Sequence, residues 1–133
     1  MKYTTGYKHQ LYEDESCSTD FRPLIPLDHK FFHLSMGGTL TAKAGYSWDG
    51  ASGGCPDNDY TLTPSMFHDI PYQMMRLGLM SQEFRPMADR LFYTQIRDRG
   101  LNRVIAWFFY IMVRRFGAPS ADPVNKKEVL FAP

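Results

Sequence analysis

Apolar spacing along this chain changes character near Thr61. Upstream, short β-forming runs are separated by glycines. Downstream, apolar residues recur every three or four positions, the interval that stacks side chains on one face of a helix. The runs "HKFFHLSM" and "TLTAKAGYSW" predict two strands joined at Gly37 and Gly38, because glycine supplies the positive φ of a tight hairpin turn. Residues 1–20 are polar and unpatterned, and are expected to form an arm or irregular lead-in. A β-rich part over 21–48, a Gly/Pro loop over 49–62, a helical core over 63–117 and a proline-bounded tail over 118–133 follow. The expected fold class is α+β in a single domain: a small N-terminal antiparallel β-hairpin or sheet, then a bundle of two to three helices.

The first helix is expected to use Thr63 as N-cap, with Pro64 in its first turn, and to end near Arg76 before Gly78. Pro71 lies inside it, removes a backbone donor and predicts a kink or a later start. The second helix is expected from about Pro86 to Gly100, with Ala88, Leu91, Phe92, Gln95 and Ile96 on one stripe. The third, from about Asn102 to Phe116, is apolar nearly all round. That pattern predicts the central core helix, the alternative being a helix with one face against something apolar.

At 133 residues, 44% hydrophobic and 15% aromatic, the chain can bury a real core. Its net charge of +1 gives no basic stripe of the kind nucleic acid calls for. Arg97, Arg99, Arg103, Arg114 and Arg115 are dispersed and read as a solvated face. No nucleic-acid partner is expected. "MKYTTGYKHQ" has no apolar core of a secretory signal, and the run from Val104 to Val113 is about half of a membrane span. Cys17 and Cys55 allow one bridge or two thiols.

Candidate chemistry centres on "MFHDIPYQMM". On a helix His68 and Tyr72 share a face, while Asp69 points about a quarter turn away. Asp89 lies on the side of the next helix that carries Phe92 and Tyr93. Antiparallel packing of the two helices would bring His68, Tyr72 and Asp89 together. Two readings stand: a histidine base oriented by a carboxylate, and a buried hydrogen-bond network that ties two helices. His29 and His33 have zinc-pair spacing but no completing ligands, and Asp57 and Asp59 read as turn residues.

"HDIPY" followed by "ADRLF" resembles the paired helices of the phospholipase A2 enzymes, with "YSWDGASGG" where that family has its calcium loop. A second resemblance is to the phage-associated domain of unknown function 1353 family. It rests on Asp49-Gly50-Ala51-Ser52, His68-Asp69-Ile70-Pro71-Tyr72, Arg85 to Phe92 and Val113-Arg114-Arg115-Phe116-Gly117. The phospholipase resemblance implies His68 as general base, Asp89 as its orienting carboxylate and Tyr72 as a hydrogen-bond donor to Asp89. It implies calcium held by Asp69, with Asp49 as a further candidate ligand and backbone carbonyls of Tyr46, Gly50, Gly53 and Gly54 around it. The function expected on this resemblance is a calcium-dependent lipid or ester hydrolase acting at a lipid or membrane surface. The alternative is a non-catalytic virion or assembly protein whose partners are other phage structural proteins. Both place the chain in the host cytoplasm at synthesis, and the second places it in the virion.

Overall fold

The computed structural model describes residues 3–4, 9–49 and 58–123. They fall into two compact units, a β-rich one up to Asp49 and a helical one from residue 58 onward, which is an α+β organisation.

The β-rich unit holds two antiparallel sheets. One has the strand order β1-β2-β7, from β1 (Tyr3–Thr4), β2 (His9–Leu11) and β7 (Ser47–Trp48). The other has the order β3-β6-β5-β4, from β3 (Glu15–Ser18), β4 (Leu27–Asp28), β5 (Phe32–Leu34) and β6 (Thr39–Ala42). The β5–β6 hairpin turns at the expected glycines. Gly38 has φ +93°, and a side chain on it would collide with the Thr19 and Phe21 carbonyls. Phe32 pairs with Ala42 and Leu34 with Leu40, and all four are buried.

Two expectations change here. The lead-in is not irregular: within residues 1–20 lie β1, β2 and β3. In β3 half-buried Glu15 and Cys17 alternate with exposed Ser16 and Ser18. Small polar residues on an edge strand carry little apolar signal, and pairing to β6, with Ser16 Oγ 2.8 Å from Thr41 Oγ1, holds them there. The second predicted strand also breaks in the middle. Gly45, with φ +96°, turns the chain out of β6, and β7 pairs with β2 in the other sheet.

The helical unit contains α1 (Leu62–Arg76), a 3-10 turn (Gln82–Phe84), α2 (Arg85–Asp98), α3 (Arg103–Phe116) and α4 (Ala118–Ala121). The start of α1 is fixed by Asn58, whose Oδ1 accepts from Tyr60 N (2.9 Å) and Thr61 N (3.1 Å), while Thr61 Oγ1 accepts from Asn58 N (3.0 Å). Thr63, the expected cap, is therefore already inside the helix. Pro71 neither ends α1 nor delays it. Its ring is buried, and the helix runs on five residues to Arg76. Both α1 and α2 end with a left-handed glycine. Leu79 N bonds Met74 O and Gly78 N bonds Met75 O; Leu101 N bonds Ile96 O and Gly100 N bonds Arg97 O. These paired bonds satisfy carbonyls that the helix ends leave open.

The α2–α3 contact buries Phe92, Ile96, Leu101, Ala106 and Val113, with Tyr93, Phe109 and Met112 packed against them. The third helix is not the core helix its composition predicts. Only Ala106 and Val113 of α3 are buried, whereas Val104, Ile105, Trp107, Phe108, Ile111 and Phe116 are exposed. Among the described residues no helix is long and apolar enough to cross a membrane. The tail begins as α4, and positions 124–133 lie outside the described residues.

Candidate functional site

The most buried charge of the helical unit is Asp89, one turn into α2 and with no exposed surface. A carboxylate there must be neutralised and hydrogen-bonded to remain ionised. Four groups converge on it. Its Oδ1 lies 2.6 Å from His68 Nε2 and accepts from the Tyr72 hydroxyl at 2.6 Å, both from α1. Its Oδ2 accepts from Arg114 Nη1 of α3 at 2.8 Å and lies 3.7 Å from Arg85 Nη1, one turn back on α2. The carboxyl is the knot at which three helices meet.

The sequence places these groups by simple periodicity. His68 and Tyr72 are four apart on α1, as are Arg85 and Asp89 on α2. Tyr72 touches Arg85 and Asp89 while His68 touches Asp89 and Phe92, so the two helices run antiparallel. The His68 ring packs on Tyr72 with centroids 4.3 Å apart and on Phe92 at 5.3 Å, which limits its rotation. Gly117, at the junction of α3 and α4, lets the Tyr72 hydroxyl come close: a Cβ there would sit 2.7 Å from the Tyr72 oxygen.

Burial by itself raises the pKa of Asp89. Hydrogen bonds from His68, Tyr72 and Arg114 and the attraction of His68 outweigh it and hold the carboxyl below its ordinary range. For Tyr72 burial acts in the same direction as the Asp89 charge, and the phenol is pushed well above its ordinary value. Tyr72 is therefore a donor across the accessible pH range. An ionised Asp89 can only accept, so the proton between it and His68 sits on Nε2. Whenever the ring is neutral its lone pair is on Nδ1, the nitrogen that Asp89 does not engage. The attraction that lowers Asp89 belongs to the protonated ring.

His68, Tyr72 and Asp89, the three expected partners, are thus brought together. Asp69 lies elsewhere on α1, about one-third exposed, with its Oδ1 3.8 Å from Arg76 Nη2. Arg76 in turn donates from Nε and Nη2 to Gln73 Oε1 and from Nη1 to the Ser120 carbonyl of α4. In the β-rich unit, the Tyr46 carbonyl accepts from Leu11 N at 2.8 Å, and its ring is buried beside Trp48. Asp49 is exposed just after β7. The loop candidates Gly50, Gly53 and Gly54, with Cys55 and Asp57, lie outside the described residues.

Calcium takes six to eight oxygens. Among the described residues no three His, Cys, Asp or Glu side chains gather to hold a metal ion. The Asp69 carboxylate also already faces a guanidinium. The loop carbonyls that would complete a calcium shell lie outside the described residues, and no chemical step is routed through one. His29 and His33 have separate roles: His29 stacks on Phe32 at 4.3 Å, and His33 Nδ1 pairs with Asp28 Oδ1 at 3.1 Å. Lys43 and His33 hold Asp28 below the usual carboxylate range.

Two site residues escape a reading by residue type. Arg114 reads in the sequence as one of the solvated arginines, yet it turns inward to Asp89. Arg85 also bonds the carbonyls of Val113 and Arg114 at 3.4 and 3.3 Å. The only advance signal for either is its place inside the ordered motifs. No family model, curated protein or solved structure matches the chain, which leaves the geometry around Asp89 as the ground for a functional reading.

Proposed function

We propose that this chain is an ester hydrolase in which His68 is the general base and Asp89 its orienting partner. The observation that carries the reading is the 2.6 Å contact between His68 Nε2 and Asp89 Oδ1, with Tyr72 on the same oxygen. The carboxylate fixes the ring and its tautomer and stabilises the imidazolium that forms. In the step this supports, Nδ1 takes a proton from water, the hydroxide oxygen bonds to the ester carbonyl carbon, and the alkoxide leaves with the proton that His68 returns. Arg114 and Tyr72 keep Asp89 ionised throughout.

His68→Gln tests it, because a glutamine Nε2 can still donate to Asp89 but offers no base. The expected result is a fall in ester hydrolysis of roughly 10²–10⁴-fold with the melting temperature little changed. A full-rate His68→Gln protein would sink the proposal. A second reading is favoured by the filling of both Asp89 oxygens by donors from α1 and α3. On it, the four residues are an interhelical tie in a non-catalytic virion or assembly protein. Its signature is copurification with particles, without ester turnover.

A further inference from the structure

The outward side of α3 is unlike any other surface of the helical unit. Val104, Phe108, Ile111 and Arg115 stand at i, i+4, i+7 and i+11, so they share one face, opposite the buried Ala106 and Val113. Val104 is 76% exposed, Phe108 59% and Trp107, beside them, 54%. A contiguous exposed apolar face of this kind marks a binding surface and calls for an occupant.

Charge identifies that occupant. Between Asp98 and Asp122 the sequence has four arginines and no acidic residue. Arg114 is committed to Asp89, but Arg103 and Arg115 are exposed at the two ends of the face, and Arg99, at the end of α2, is exposed too. A second copy of the chain would bring like charges together in either orientation, because the face offers no carboxylate to meet an arginine. An anionic phospholipid surface meets both demands. Its phosphates take the guanidiniums, and its acyl boundary takes the aromatic and aliphatic side chains. At 14 residues α3 is about 21 Å long, suited to lying in the interface plane.

We propose that the outward face of α3, built on Val104, Trp107, Phe108 and Ile111 and rimmed by Arg103 and Arg115, docks on an anionic lipid surface. The docking goes beyond the hydrolase reading and uses no residue of the Asp89 site.

Sedimentation with vesicles of ether-linked phosphatidylglycerol and phosphatidylcholine tests it, since ether lipids cannot be hydrolysed and binding is read apart from catalysis. Trp48 is buried and Trp107 exposed, so tryptophan emission reports α3. Expected are binding that rises with the phosphatidylglycerol fraction and falls with salt, and a blue shift that Trp107→Phe removes. Arg115→Glu should weaken binding by about fivefold or more, and Phe108→Asp should weaken it further, both with unchanged circular dichroism. Absence of binding to anionic vesicles would overturn the proposal. So would binding that ignores Phe108→Asp. A concentration-dependent dimer abolished by Phe108→Asp would assign the face to a second copy, and would overturn the lipid assignment too.

Discussion

Asp89 has no exposed surface and is held by donors from α1 and α3, with Arg85 of its own helix nearby, so its charge, rather than its volume, is what the helical unit depends on. Replacing it by Asn keeps the shape but leaves Arg114 without its anion and turns one oxygen into a donor facing the other donors. Breaking a buried pair in this way costs about 3–5 kcal/mol, to be read by urea denaturation of Asp89→Asn against wild type. The pairwise part follows from a cycle with Arg114→Met, in which the double variant should lose less than the sum of the single ones. A Asp89→Asn protein as stable as wild type would mean that the carboxyl is held neutral. At this scale the sequence is legible where partners are set by helical repeat. His68 and Tyr72 are one turn apart and Asp89 lies on the stripe that faces them, so the triplet can be read in advance. Arg114 cannot, because an arginine's long side chain reaches partners that only the crossing of α3 decides.

Elements tell a second version of the same lesson. In α2 a clear stripe of apolar residues predicts its buried side, and Ala88, Phe92 and Ile96 are buried. In α3 apolar residues surround the helix, so periodicity carries no information about which side faces in, and the inference of a core helix fails. The buried side has to be taken from packing: it is the line of Ala106 and Val113, where a small residue lets α2 approach. The strands were hard to read for the opposite reason, since β3 is made of small polar residues whose place is set by pairing with β6. The asymmetry of α3 makes a sharp contrast testable. Val113→Ala, at a site with no exposure, should cost about 2 kcal/mol through lost contacts and a cavity. Phe108→Ser removes a far larger apolar group, yet should change stability by no more than about 0.5 kcal/mol, because that ring is mostly in water already. Denaturation midpoints of the two variants, at equal slope, check it. Equal losses would place Phe108 in a core.

Across the whole molecule, the two perturbed groups of the site bound the pH range in which the helical unit is most stable. Asp89 is held below its ordinary range in the folded state. It therefore binds protons less readily than in the unfolded chain, and its contribution is fully present above the unfolded carboxylate pKa of about 3.9 and lost as pH falls through the lower folded value. Tyr72 is displaced the other way. Its contribution is fully present below the unfolded phenol value of about 10 and is lost as pH rises toward the higher folded one. Stability should thus hold a plateau between those limits and fall at both flanks. Tyr72→Phe should flatten the alkaline flank and leave the acid one, while lowering the plateau by about 1 kcal/mol for the lost hydrogen bond. Tyrosinate absorbance offers an independent reading. Of the eight tyrosines, Tyr72 should ionise only with unfolding, so the alkaline titration of wild type should show a late step coincident with loss of helical circular dichroism. In Tyr72→Phe that coincident step should shrink. An alkaline flank unchanged by Tyr72→Phe would place its origin outside the Asp89 knot, and the phenol could not then be the donor that keeps the carboxylate charged.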